Sequence, residues 1–329
     1  MNVLSPMPQG SGAIVVHRML EKRLRGYSVV PYDPRLEYCP PLMRWVVPRP
    51  PADVIHTTPD HAVCFKRSSA PLVATFHNLV IDDFMQAYSS TLQKLHYRTD
   101  LRWYLRRGVS AATKLTAVSQ FTADLARQEL SIGADIEVIP NGVETERFVP
   151  ATAHREGRSL RLLFAGNPSY RKGAHWLPEI AERLEGEDRI VCATGLRGQW
   201  RSFLTHPRIE ILGGIRFDEM PTLYQSVDAL LLPTVREGDS LVVLEAMSCG
   251  LPVIATDCAS LGERVAHERG GYLCRLGKIG DFADAIKELR DPTRRQQMGS
   301  FNRDRAVSEF DVDVMSTRYR TLFDSLAKS

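Results

Sequence analysis

Residues 229–257 read ALLLPTVREGDSLVVLEAMSCGLPVIATD. Ala229–Leu232 is an apolar run of strand length. It passes into a polar loop carrying Glu237, Gly238, Asp239 and Ser240. Asp239 or Ser240 suits an N-cap, so a helix is expected from about Leu241 to Cys249. Gly250 and Pro252 then stop that helix, and Val253–Thr256 reads as a second strand. Strand, loop, helix and strand in that order form the repeating unit of a parallel sheet with helices on its faces.

The same alternation extends in both directions. Strand-like runs before this stretch are Met1–Ser5, Tyr27–Tyr32, Val54–Thr57, Leu72–Phe76, Leu115–Val118 and Ile136–Ile139. A fresh series comprises Leu160–Ala165, Arg189–Ala193, Ile209–Leu212, Ala229–Leu232, Val253–Thr256 and Gly271–Cys274. Helical patterns such as Ala174–Leu184 and Asp281–Leu289 lie between them. Two series predict two doubly wound α/β domains, with ligands at the carboxyl ends of the strands. Segment 149–159, VPATAHREGRS, has linker composition. The expected division is therefore residues 1–148, a linker 149–159, and residues 160–311, with a further amphipathic helix from Val312.

The chain has 329 residues, of which 43% are hydrophobic and 25% charged, with a net charge of +3. Such a balance fits about two globular domains and excludes a disordered chain or a disulfide-stapled module. The small charge excess excludes a nucleic-acid binder. No apolar run reaches the roughly 18 residues of a membrane span, and the N-terminus lacks the pattern of a signal peptide. The six cysteines have no CxxC spacing and read as buried, reduced thiols of a cytoplasmic protein with no zinc site.

Several positions carry chemistry. The start of the helix at Ser240 offers unpaired N–H groups and the positive end of a dipole, which suits a phosphate. Glu237 lies on the loop and Glu245 within the helix, flanked by Val242, Val243, Leu244, Ala246 and Met247. Those neighbours fit a merely solvated carboxylate poorly. One carboxylate suits the vicinal hydroxyls of a ribose, the other a second sugar. LLFAGNPSYRKG, residues 162–173, places Arg171 and Lys172 after a buried strand, where they suit a departing diphosphate. His77 follows the run Leu72–Phe76 directly. Gly10-Ser11-Gly12 forms a loop between the first strand and first helix that lets backbone approach a ligand; the G-x-G-x-x-G fingerprint of dinucleotide enzymes is absent. Lys94, Arg98, Arg102 and Arg106 recur every fourth residue in 92–107. On one helix they form a basic stripe suited to an anionic membrane surface.

The segment EGDSLVVLEAMSCGLPVIATD resembles the signature of the family-4 glycosyltransferases, retaining enzymes of GT-B fold in which two Rossmann-like domains face each other across a cleft. The family's E-x7-E motif falls on Glu237 and Glu245. The resemblance implies that Glu237 contacts the donor sugar and Glu245 the nucleotide ribose, while the backbone amides of Asp239, Ser240 and Leu241 bind the diphosphate. Asp239 departs from the apolar or aromatic residue usual there, and an acid beside a diphosphate is unfavourable unless its side chain turns away. The family's G-R-x4-K-G segment is matched at Gly166, Lys172 and Gly173. Asn167 replaces its Arg, and Arg171 stands as a second source of positive charge. PLVATFHNLV, residues 71–80, is similar to the family's T-x-H-x segment, which implies that His77 contacts the sugar near the reacting carbon. His56 matches a strand end and is expected as a cleft-wall residue. The loop at Gly10, Ser11 and Gly12 corresponds to one that lies against the donor. Asn141-Gly142, in IPNGVETERF, reads as a turn near the hinge, and Ser119 as a helix cap. The matches run from about residue 54 to 275 in the family's order, and the helix from Val312 resembles its crossover helix, which returns to the N-terminal domain.

The expectation is thus a glycosyltransferase that moves a sugar from a UDP- or GDP-sugar to the hydroxyl of a glycan or lipid-linked acceptor in cell-surface assembly. It would retain the anomeric configuration, with no metal and no cofactor. His77, Glu237 and Lys172 form the expected catalytic set. Segment 92–107 would supply peripheral contact with the inner face of the membrane. Two other readings stay open: a non-catalytic nucleotide-sugar-binding subunit, and a GT-B nucleotide-sugar epimerase.

Overall fold

Short runs of β-branched and aliphatic residues, bounded by Gly, Pro and polar turns, become parallel strands buried on both faces. The computed structural model describes residues 1–152, 159–194 and 204–327. Its first sheet holds β1 (Val3–Pro8), β2 (Tyr27–Tyr32), β3 (Val54–Thr57), β4 (Leu72–Phe76), β5 (Lys114–Ala117) and β6 (Ile136–Val138) in the order β2-β1-β3-β4-β5-β6. The second holds β7 (Arg161–Ala165), β8 (Arg189–Ala193), β9 (Ile209–Gly213), β10 (Ala229–Leu232), β11 (Val253–Thr256) and β12 (Gly271–Cys274) in the order β12-β11-β10-β7-β8-β9. Every pairing between these strands is parallel.

Contacts divide the chain into Met1–Gly142 with Val312–Ser329, and Val143–Asp311. The C-terminal unit begins before the low-apolar segment 149–159, because Val143 and Phe148 are buried in its core beside Tyr224 and Leu244. Residues 153–158 of that segment lie outside the described residues. The helix Val312–Ala327 packs within the N-terminal unit, where Tyr319 and Phe323 lie against His56.

In the second sheet the chain starts at β7 in the middle, runs outward to β9, and returns to β10 on the opposite side. The order reverses between β7 and β10, the place in an open α/β sheet where ligands bind beyond the carboxyl ends of the strands. In the first sheet the reversal lies between β1 and β3.

Four sequence expectations change. β1 extends through Pro6 and Pro8 instead of ending at Ser5. Its pairing with β3 ends at Leu4, so the prolines lie where β1 has a single ladder partner, β2, and their missing N–H groups are tolerated. Segment 92–107 is not one helix. It comprises Thr91–His96, a π-turn at Tyr97–Leu101 and the helix Arg102–Ala111. The wide turn breaks the fourfold spacing, and Arg102 is drawn inward, donating to the Glu129 carboxylate at 2.7 Å and to the Glu129 carbonyl at 3.1 Å. The basic stripe is therefore interrupted. Ala174–Leu184 likewise splits into a 3-10 turn, Ala174–Trp176, and the helix Leu177–Glu182. Finally, Cys39 is exposed, unlike Cys64, Cys192, Cys249 and Cys274.

Candidate functional site

At the β7/β10 switch two loops are stitched together. The Val235 amide donates to the Arg171 carbonyl at 2.8 Å, and the Thr234 hydroxyl oxygen lies 2.9 Å from the same oxygen. Arg171 Nη1 returns a bond to the Arg236 carbonyl at 2.9 Å. Gly173 makes this approach possible. Its φ is +69°, and a Cβ there would fall 1.6 Å from the Pro233 carbonyl oxygen. The consequence is that Lys172, after β7, meets Glu237, after β10, although 65 residues separate them.

Glu237 is buried. Its Oε1 accepts from Lys172 Nζ at 2.7 Å and from the Thr234 hydroxyl at 3.0 Å, with Arg171 Nη1 at 3.7 Å. Burial alone would raise its pKa, but the two cations and the two hydrogen bonds outweigh it and hold the carboxyl below its ordinary range. Glu237 is thus an anionic acceptor. The Ser260 hydroxyl also donates to its carbonyl, at 3.1 Å, which pins the loop.

The helix Leu241–Ser248 starts immediately beyond. Ser240 holds the N-cap position, yet its side chain makes no capping bond; its hydroxyl is buried without a partner. A buried hydroxyl beside the unpaired amides of a helix start is an anion-binding arrangement waiting for an acceptor. The Asp239 carboxylate does not compete there. It is fully buried and accepts from Arg264 Nε at 2.7 Å. Burial would lower the Arg264 pKa, but Asp239 raises it above the ordinary arginine value, and the two form a buried ion pair.

Glu245 lies two turns into the helix, and its Oε2 accepts from the Tyr224 hydroxyl at 2.7 Å. Burial pushes its carboxyl up to about 7, against the Tyr224 bond and the Arg147 charge; Glu144 adds to the rise. Gly166, at the end of β7, has φ +117° and open space where a Cβ would stand, and Asn167 beside it is exposed. Both leave room for a ligand over the carboxyl end of the strand.

In the N-terminal unit Gly10 has φ +75°, and neither Gly10 nor Gly12 has an atom within 4 Å of where a Cβ would stand. Ser11 caps the helix Gly12–Arg23, accepting from the Ile14 amide at 3.2 Å. His77 stands at the carboxyl end of β4, with Nε2 3.1 Å from His17 Nε2. Burial lowers its pKa to about 4, so it is neutral. His56 is not a cleft-wall residue. It is fully buried, between Tyr27 and Thr75. Ser119 is a helix cap, accepting from the Thr122 amide at 3.1 Å.

Sequence reasoning did not find Tyr224, Arg264, Thr234 or His17. Each acts on a site residue from another element. Only a buried polar side chain in an otherwise apolar pattern, such as Tyr224 before β10, hints at such a role.

Comparison with known proteins adds an independent line. Residues 3–147 match the profile described as Glycosyltransferase Family 4, and residues 159–291 that of Glycosyl transferases group 1. Glycogen synthase of Mycobacterium tuberculosis is 26% identical over 257 residues, covering 75% of this chain and 61% of the relative. The GDP-mannose-dependent alpha-(1-6)-phosphatidylinositol monomannoside mannosyltransferase of the same species is 27% identical over 242 residues, 66% of this chain and 63% of the relative. The chain thus spans less than two thirds of the length of these two relatives. Among solved structures, Anabaena HepE in complex with UDP and glucose superposes with a TM-score of 0.78 at 19% identity, covering 99% of this chain and 100% of that one.

Proposed function

We propose that this chain, which belongs to the family-4, group 1 glycosyltransferases, moves a sugar from a nucleotide-diphosphate sugar to an acceptor hydroxyl with retention of anomeric configuration. The observation that carries the reading is the cluster at the β7/β10 switch. There Lys172 and Arg171 flank Glu237, next to a helix start whose Ser240 hydroxyl is buried and unpartnered. Departure of a nucleoside diphosphate breaks the bond from the anomeric carbon to the β-phosphate oxygen and leaves negative charge on that oxygen. Lys172, Arg171 and the amides at Ser240 and Leu241 are the groups that meet it. The acceptor oxygen bonds the anomeric carbon, and its proton passes to the departing phosphate. Glu237 orients the sugar hydroxyls, and Glu245 takes the ribose hydroxyls. Gly166 and Asn167 lie along the donor. The N-terminal unit offers His77 as a hydrogen-bond partner of the transferred sugar and the Gly10-Ser11-Gly12 turn as a close backbone approach. The GDP-mannose-dependent relative and the UDP-bound structural neighbour support a UDP- or GDP-sugar donor.

A thermal-shift panel of nucleoside diphosphates tests the donor site. One base should raise the Tm of the wild type more than that of Glu245→Ala; at a hundred times its Kd a ligand adds about 2.7 kcal/mol, and about half as much to a ten-fold weaker site. If none stabilises the wild type, the proposal fails, and the non-catalytic reading fails with it.

The acceptor side is proposed to meet an anionic membrane carrying a lipid-linked acceptor. Leu92, Leu95 and Trp103 are 81%, 62% and 51% exposed, among exposed Arg98, Arg106 and Arg107. Apolar side chains with interspersed cations suit the interface of an anionic bilayer. Among the described residues no helix is long and apolar enough to cross a membrane. Co-sedimentation with anionic but not zwitterionic vesicles is expected, and equal recovery with both would refute the contact.

A further inference from the structure

The mechanism uses His77 but none of the polar groups beneath it. Those groups form one hydrogen-bonded chain inside the N-terminal unit, drawn from five strands and a helix. His77 Nε2 lies 3.1 Å from His17 Nε2. His17 Nδ1 lies 2.7 Å from the Ser5 hydroxyl and 2.8 Å from the Tyr27 hydroxyl. Tyr27 reaches His56 Nδ1 at 2.7 Å, and His56 Nε2 reaches the Thr75 hydroxyl at 2.7 Å. Thr75 ends the run against the Thr116 hydroxyl at 2.6 Å.

We propose that this chain holds His77 in the tautomer protonated on Nε2, leaving Nδ1 as a bare acceptor for a substrate hydroxyl, with His17 as the positioning residue that imposes it. The proposal rests on the reading of His77 as the sugar's partner.

The argument is one of proton counting. Burial lowers the pKa values of His17 and His56 well below the ordinary histidine value and that of His77 to about 4, so each imidazole carries one N–H. The link between two Nε2 atoms then needs a proton on one side only. If His17 bears its proton on Nε2, its single Nδ1 lone pair faces two hydroxyl oxygens at 2.7 and 2.8 Å and accepts one good bond, which leaves the other oxygen lone pair to lone pair. If His17 bears its proton on Nδ1, that N–H is shared between the Ser5 and Tyr27 oxygens, a three-centre bond of ordinary kind. The second register is the better satisfied. It carries through: Tyr27 then donates to His56 Nδ1, and His56 Nε2–H donates to Thr75. His17 Nε2 becomes an acceptor, so His77 Nε2 must donate to it. The tautomer at the sugar-facing histidine is thereby imposed by hydroxyls it never touches.

Nitrogen-15 NMR of selectively labelled histidine tests this on the free protein, without reference to catalysis. The His77 ring is expected to show a protonated Nε2 and an unprotonated Nδ1; a predominantly Nδ1-protonated ring overturns the proposal, and this reading needs no variant. The double variant Ser5→Ala/Tyr27→Phe removes both acceptors of the His17 Nδ1–H and touches no atom of His77. It should turn the His77 signals into a mixture of tautomers and lower kcat about ten-fold, the value of one lost hydrogen bond, with the donor KM within two-fold. Unchanged His77 signals in a folded double variant also overturn the proposal. His77→Ala separates the two ideas: full activity in that variant removes the sugar-contact role, while the wild-type ring signals still report the register.

Discussion

Replacing Glu245 by Gln is expected to stabilise the ligand-free protein while weakening nucleotide binding. The carboxyl sits against Tyr224 in a site that raises its pKa from 4.5 to about 7, chiefly by burial. That shift corresponds to about 3 kcal/mol of preference for the neutral form. The sign follows from linkage. Because the folded value lies above the unfolded one, the penalty is absent below pH 4.5, grows as the pH rises toward 7, and is complete above it. Gln keeps the shape and still accepts from the Tyr224 hydroxyl. It also has an amide to bury, so the net gain at pH 8 is about 1–3 kcal/mol. For a domain the size of Val143–Asp311, about 2–4 °C per kcal/mol makes that a rise of several degrees. Urea and thermal unfolding of both proteins at pH 5 and pH 8 supply the measurement: curves that diverge at pH 8 and approach each other at pH 5. In the same variant nucleotide affinity should fall about ten-fold or more, since a charged hydrogen bond contributes roughly 1.5–3 kcal/mol. A variant no more stable than the wild type at pH 8, or stabilised equally at both pH values, would refute the reasoning.

Three further outcomes follow from the same geometry. Glu237→Ala should lower turnover about ten- to a few hundred-fold if its bonds to the sugar tighten in the transition state, and steady-state kinetics with unchanged kcat would remove that role. Arg264→Met strands the buried Asp239 carboxylate and should cost about 3–5 kcal/mol in urea unfolding; adding Asp239→Asn should restore most of the loss, and no restoration would show that the pair is not what Arg264 supports. Gly173→Ala places a Cβ on the Pro233 carbonyl at positive φ, so the β7 and β10 loops must separate. Turnover and stability should both fall, whereas Gly166→Ala, strained at φ +117° but with open space for its Cβ, should cost less stability while lowering donor affinity, read by titration calorimetry.

The twelve strands among the described residues are legible as apolar runs, because a parallel strand covered on both faces has no polar side to disguise it. β4 and β11 show this: all their residues are buried. Segment 92–107 failed the same reading. A fourfold repeat of cations looks identical whether the backbone keeps the α register or inserts a wide turn, and the pull of Glu129 on Arg102 is a tertiary contact. Asp239 shows the limit for the site. Its departure from the family pattern is plain in the sequence, but the partner that turns it aside, Arg264, is 25 residues away on another element.

Local sequence determined the elements, the loop that carries Glu237, and the helix that carries Glu245, because capping, glycine stops and apolar periodicity act over a few residues. Tertiary structure alone decided that β10 lies beside β7. That adjacency brings Lys172 to Glu237 across 65 residues. It likewise decided that Tyr224 meets Glu245 and that His17 meets His77. The ionisation of Glu237 follows from its meeting with Lys172, and that of Glu245 and His77 from burial, because a pKa is set by burial and by neighbouring charge, and neither exists until the chain has folded.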